Sequence, residues 1–251
     1  MQETIKYSFD INSINGKQYI KMFNLFLNFN PSRFSLKKEG GTWKVTNWKE
    51  KYKLEISEAG YLDNFSASQN ERFFSVTTAN PDSPFISIAL SQDNGIISDN
   101  DIECFIQNKG FCSAYRYSTN YVAVQDTEYE GNIQGLGYSL KSLRYTPFTI
   151  DNSTGVKIYD ISNNPGRSFL IGNTWIIAAH KMWFGPGFFK LVPKERLVSF
   201  PNASEIKEIE NGCLFIKLFD DVEESDSEEN MVIQQSWLDW INIKQLSSQY
   251  P

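Results

Sequence analysis

An α+β fold is predicted by three features of the sequence. Large apolar residues alternate with period two up to residue 97, helix-spaced apolar residues occur further on, and no regular strand–helix–strand order joins them. With 251 residues, 41% hydrophobic and 15% aromatic, the chain can bury a substantial core without disulfide or metal staples. The expected organisation is one α+β domain over 1–251, either undivided or in two lobes, 1–97 mainly β and 98–251 α+β.

Antiparallel strands are expected at TIKYSFDI, where Ile5, Tyr7, Phe9 and Ile11 alternate, and at MFNLFLNFN, where Phe23, Leu25, Leu27 and Phe29 do. YKLEIS, FFSVTTA and FISIALS continue the pattern, the last two on either side of the turn NPDSP. In SDNDIECFIQN, Asp99 or Asn100 can cap a short helix whose Ile102, Phe105 and Ile106 share a face. YVAVQ, YSLKSLRY and VKIYDIS read as further strands, and SNNPGR (162–167) as a turn.

Trp175, Ile176, Ala179, Met182 and Trp183 fall at i, i+1, i+4, i+7 and i+8. That spacing predicts a helix over NTWIIAAHKMWFG, with Asn173 or Thr174 as cap and Gly185 as stop. The aromatics of MWFGPGFF (182–189) are then core at a helix end and not an exposed ligand platform. IKEIENGCLFIKLFD reads as a hairpin about Asn211-Gly212. EENMVIQQSWLDWI reads as an amphipathic helix with Val232, Ile233, Trp237, Trp240 and Ile241 inward, and Ser225 with Glu228 as its capping box.

MQETIKYSFD lacks the basic start and apolar run of a signal peptide, and WIIAA is far short of the roughly 20 residues a bilayer needs. The three cysteines, Cys104, Cys112 and Cys213, suggest a reducing compartment and buried thiols, so the expected location is cytoplasmic. Charge is unevenly spread. The run DDVEESDSEE (220–229) holds seven acids and no base, and without it the net charge of −6 becomes +1. Residues 1–53 carry a local excess of +6. Such blocks govern association, not fold.

No segment spells out a reaction. His180 is the only histidine, so any Ser-His or Cys-His pair would have to use it, yet no nucleophile motif accompanies it and a structural role is expected. GNIQGLG (131–137) fits neither the dinucleotide fingerprint nor a phosphate loop and reads as a connecting loop. The acidic run lacks the spacing and glycine of a calcium loop, and no metal or cofactor is expected. It is either a solvated loop capping the last helix or a docking surface for a basic partner, with Asp220, Asp221, Glu223, Glu224 and Asp226 as contacts. In KKEGGTWKVTNWKEKYK, lysines alternate with Trp43, Trp48 and Tyr52. A hairpin with one wet face explains this better than a nucleic-acid platform in a chain of pI near 5.0.

Residues 140–189 carry YDISNNPGR, then an apolar stretch, then MWFGPGFF. This segment resembles immunity proteins of bacterial polymorphic toxin systems, in which a strand ending in Asn-Pro-Gly-Arg precedes a Met-Trp-aliphatic-Gly-x-x-Phe run. Here Phe184 stands at the aliphatic position, and the C-terminal region lies outside the likeness. The resemblance implies a non-enzymatic inhibitor that binds a cognate toxin and occludes its active site; it brings no catalytic residues with it. The alternatives are a carboxylate-based hydrolase, or a nucleic-acid or glycan module built on Trp43 and Trp48.

Overall fold

The computed structural model describes residues 2–10, 13, 33–36, 41–43, 65–69, 72–78, 85–93, 97–108, 110–135, 137, 139–172 and 174–250. In chain order the strands are β1 (Gln2–Asp10), β2 (Arg33–Leu36), β3 (Gly41–Trp43), β4 (Phe65–Gln69), β5 (Arg72–Thr78), β6 (Phe85–Asp93) and β7 (Phe111–Ser118). They continue as β8 (Phe148–Ile150), β9 (Lys157–Tyr159), β10 (Phe169–Ile171), β11 (Thr174–Ile176), β12 (Lys181–Phe184), β13 (Glu205–Glu208) and β14 (Leu214–Lys217). The helices are α1 (Asp99–Ile106), α2 (Thr119–Gln125), α3 (Glu130–Gly135), α4 (Lys194–Val198), α5 (Glu228–Trp240) and α6 (Ile243–Gln249).

Ten strands form one antiparallel sheet in the order β13-β14-β12-β7-β1-β6-β5-β4-β2-β3, and β8–β9 and β10–β11 form two small hairpins. The fold is α+β. β1 joins the two halves of the sheet, since it pairs with β6 on one side and β7 on the other. Alternation divides its residues between two cores. Ile5, Tyr7 and Phe9 pack under α1 with Phe105, Trp183 and Phe215, all essentially solvent-free. Tyr115 and Tyr117 of β7 turn the other way and join Met182, Phe184, Ile216 and Trp237 under α5 and α6. Each such side chain contributes roughly 1.5–3 kcal/mol through burial. The β1–β7 register shifts between Ser8 and Phe9, where Phe9 pairs with Phe111. This bulge sends Cys112 to the α5 core while Phe111 enters the other.

Several expectations are corrected. The 174–185 segment is not a helix: it forms β11, a tight link in which the Ala179 N–H donates to the Ile177 carbonyl at 3.0 Å, and β12, with Ile177, Ala178 and Ala179 all buried. MWFGPGFF is core, as expected, but as a strand covered on both faces: Trp183 faces one core, and Met182, Phe184 and Phe188 the other. YVAVQ lies in α2 and not in a strand, because Ser118 accepts the Tyr121 N–H and starts a helix that buries Tyr121, Val122 and Val124. YSLKSLRY becomes a 3-10 turn at Lys141–Leu143, and VKIYDIS keeps only β9. GNIQGLG begins inside α3, which buries Ile133. Ser98, not Asp99 or Asn100, caps α1, in a reciprocal box with Asp101. Ser227, not Ser225, caps α5, and Val232 points outward, 68% exposed.

The 205–217 hairpin forms as expected, with Asn211 at φ 60° and Gly212 at 73°. Cys112 and Cys213 are buried, whereas Cys104 is exposed. MFNLFLNFN, YKLEIS and NPDSP lie outside the described residues. Among the described residues no helix is long and apolar enough to cross a membrane.

Gly185 ends β12 where no side chain fits. Its N–H donates to the Cys112 carbonyl at 2.8 Å, and a Cβ would stand 2.5 Å from the Phe111 carbonyl oxygen. Because the obstacle is sheet backbone, Gly185→Ala should cost about 1–3 kcal/mol. A lowered urea midpoint at unchanged m-value would show this.

Candidate functional site

The acidic run is an ordered turn, and most of its acids have internal work. Val222–Glu224 form a 3-10 turn with Val222 and Ser225 buried beneath it. The Asp221 carboxylate caps that turn by accepting the Glu223 N–H at 2.8 Å. Two side chains of α5 hold the run from below: Asn230 Nδ2 donates to the Glu224 carbonyl (2.9 Å), and Gln234 Nε2 to that of Ser225 (3.2 Å). Asp220 pairs with Lys217 at 2.8 Å, Asp226 with Lys141 at 3.7 Å, and Glu228 with Arg144. Lys217 therefore holds the Asp220 carboxyl below the usual carboxylate range. Glu223, Glu224 and Glu229 have no cation beside them among the described residues, and all three are exposed.

Next to this run lies a groove of about 440 Å³ that no sequence pattern announced. One wall is the outer face of α5, with Glu228, Met231, Val232 and Gln235; the other comes from 142–147 and 160–165, including Tyr145, Pro147 and Pro165. Tyr145 is 75% exposed and Val232 68%, so the floor is apolar surface open to water. The NPGR stretch supplies one edge through buried polar contacts. Thr146 Oγ1 donates to Asn164 Oδ1 (3.1 Å), and Asn164 Nδ2 to the Gln125 carbonyl (3.0 Å). Gly166 lies so close to Tyr121 that a Cβ would meet its ring at 2.3 Å. Asn164 and Gly166 thus fix the loop, and Pro165 faces the groove.

His180 is not on a helix; it precedes β12, its ring tilted 33° against that of Phe219 with centroids 5.4 Å apart. Its Nε2 donates to the Asp220 carbonyl at 3.1 Å, and Nδ1 is buried without a partner. Burial, helped by the neighbouring charges of Lys181 and Arg116, lowers its pKa to about 4, so the ring is neutral at pH 7. Among the described residues no hydroxyl or thiol is hydrogen-bonded to it, and no three acids, cysteines or histidines gather as metal ligands would.

A carboxylate hydrolase would need two acids facing each other. Among the described residues Asp126 is the one carboxyl held above its ordinary range, desolvation outweighing its bonds to Ser168, and it looks toward Lys6 and Arg167 instead of a second acid. Trp43 falls in β3, and Trp48 lies outside the described residues. Compared with protein-family models, with curated proteins and with solved structures, the chain finds no match in any of the three.

Proposed function

We propose that the chain is an immunity protein that neutralises a cognate bacterial toxin in the cytoplasm by binding it directly and covering its active site. One observation carries the reading: an exposed apolar groove floored by Tyr145 and Val232 has in its wall Glu228, part of an acidic run whose Glu223, Glu224 and Glu229 have no cation beside them among the described residues. Apolar anchors supply lasting contact, and a one-sign charge field speeds the encounter with a basic surface such as a nuclease cleft. The NPGR stretch adds support, because the segment behind the resemblance forms one wall of that groove. Asp220, Asp221 and Asp226 then shape the field and the turn, and Glu223 and Glu224 meet the partner.

The test uses the protein encoded beside this chain as the candidate toxin. Glu223→Lys with Glu224→Lys and Glu229→Lys should slow association about tenfold at low salt and flatten its salt dependence. Tyr145→Ala and Val232→Asp should instead speed dissociation by tenfold or more. If both sets bind with native rates, the groove and its acids are not the interface.

A further inference from the structure

A second cavity, of about 430 Å³, opens on the opposite side of α2 from the acidic turn, between β1, β7 and β11. We propose that it binds a small organic oxyanion, a carboxylate or phosphate monoester carrying an apolar body. The inference is independent of the inhibitor reading.

Two cations face this space without an ion-pair partner among the described residues. Lys6 Nζ sits 3.4 Å above the centroid of the Trp175 ring, and Arg167 lies beside Phe169 at 5.4 Å. Among the described residues no carboxylate comes within ion-pair distance of either. Among the described residues Asp126 is the single acid in the wall, and its two oxygens are engaged by Ser168, Oδ1 by the backbone N–H at 2.8 Å and Oδ2 by the hydroxyl. A ring face attracts an ammonium but accepts none of its three N–H bonds fully, so Lys6 retains donors for an incoming oxygen. Thr4 and Thr119, bonded to each other at 2.8 Å, put hydroxyls on the same wall. The volume exceeds what a bare ion needs and lies within the roughly 300–1,000 Å³ of small-molecule sites; Val122 and Ile161 give it an apolar end.

The charge of Lys6 is itself adjustable. Burial lowers its pKa to about 8, against the pull of Asp126. The other ionisable groups turned toward it are Tyr115 and Tyr117 of β7, both pushed far up by burial, Arg167, and Asp126. Lys6 is therefore the group whose protonation changes near pH 8, and a carboxylate should bind well below that pH and progressively less above it.

The experiment titrates the full chain with benzoate, phenyl phosphate and neutral benzamide, read by calorimetry, with circular dichroism confirming the fold of each variant. Saturable binding of either anion but not of benzamide is expected, and the stronger of the two identifies the oxyanion. Lys6→Met and Arg167→Gln should each weaken it at least tenfold, and Asp126→Asn should strengthen it. Absence of saturable binding, equal binding of benzamide, or native affinity in both cation variants would overturn the proposal.

Discussion

Replacing Arg116 with methionine should destabilise the fold by about 3–5 kcal/mol, the largest single effect expected outside the aromatic core. Arg116 projects from β7 beneath α1, where its Nε and Nη2 both donate to the Glu3 carboxylate at 2.8 Å. Glu3 has no exposed side-chain surface, and Arg116 has 9%. The third arm, Nη1, reaches Asp99 at 2.9 Å, and Lys181 closes the chain on the other Asp99 oxygen at 2.6 Å. Burial alone would raise the Asp99 pKa, but Lys181 and Arg116 together hold it below its ordinary value.

Methionine would leave the Glu3 charge in the sheet without the guanidinium, and such a charge stays costly in a dry interior. The pair variant Glu3→Leu with Arg116→Met removes both charges and should recover most of the loss. Urea unfolding of the two variants decides it: equal losses would mean that shape, not charge, is what Arg116 provides. The Asp99 contribution adds a pH signature. Its folded pKa is depressed, so the stability it gives is present above the unfolded value of 3.8 and is lost as pH falls through the folded one.

The chemistry of the sequence made some of this architecture legible and hid the rest for identifiable reasons. β1, β5 and β6 were readable because alternation survives where neighbouring residues meet different surroundings. The 176–184 stretch hid its strand because Ile176–Ala179 are buried without a break and β12 is covered on both faces of the sheet. A strand buried on both sides has no alternation, and its unbroken apolar run matches a helical period by chance. α2 shows the converse. Its β-branched residues favour a strand locally, but the Ser118 cap and burial against α5 outweigh that preference. The outward position of Val232 was available in principle: nine residues before Ile241 is two and a half helical turns, so the two must face opposite ways. The groove it floors could not be read, because its walls come from three separated segments. The acidic run was visible as charge, but not the capping and pairing that occupy Asp220, Asp221 and Asp226. Nor does Lys6 stand out in TIKYSFDI, since most of its neighbours across the cavity, from Tyr117 to Trp175, lie more than a hundred residues away.

Acidification should destabilise the protein between pH 6.5 and about 4 through His180 alone, by roughly 3 kcal/mol. With Nε2 donating to the Asp220 carbonyl, the proton gained on acidification must go to Nδ1, which is buried and has no acceptor. The folded state therefore resists protonation until about pH 4, whereas the unfolded chain takes the proton near 6.5. Above 6.5 the ring is neutral in both states and costs nothing. Between the two values the unfolded state binds the extra proton, so stability falls as pH falls. Because the chain has one histidine, its imidazole resonance can be followed without assignment, and a folded-state midpoint near 4 is expected. His180→Gln keeps a donor for the Asp220 carbonyl and removes the titration, so its stability should lack the His180 part of this decline over the same interval. A midpoint near 6.5 in the native protein, or a decline of the same size in the glutamine variant, would show that His180 is hydrated and that its contact with Asp220 does not constrain it.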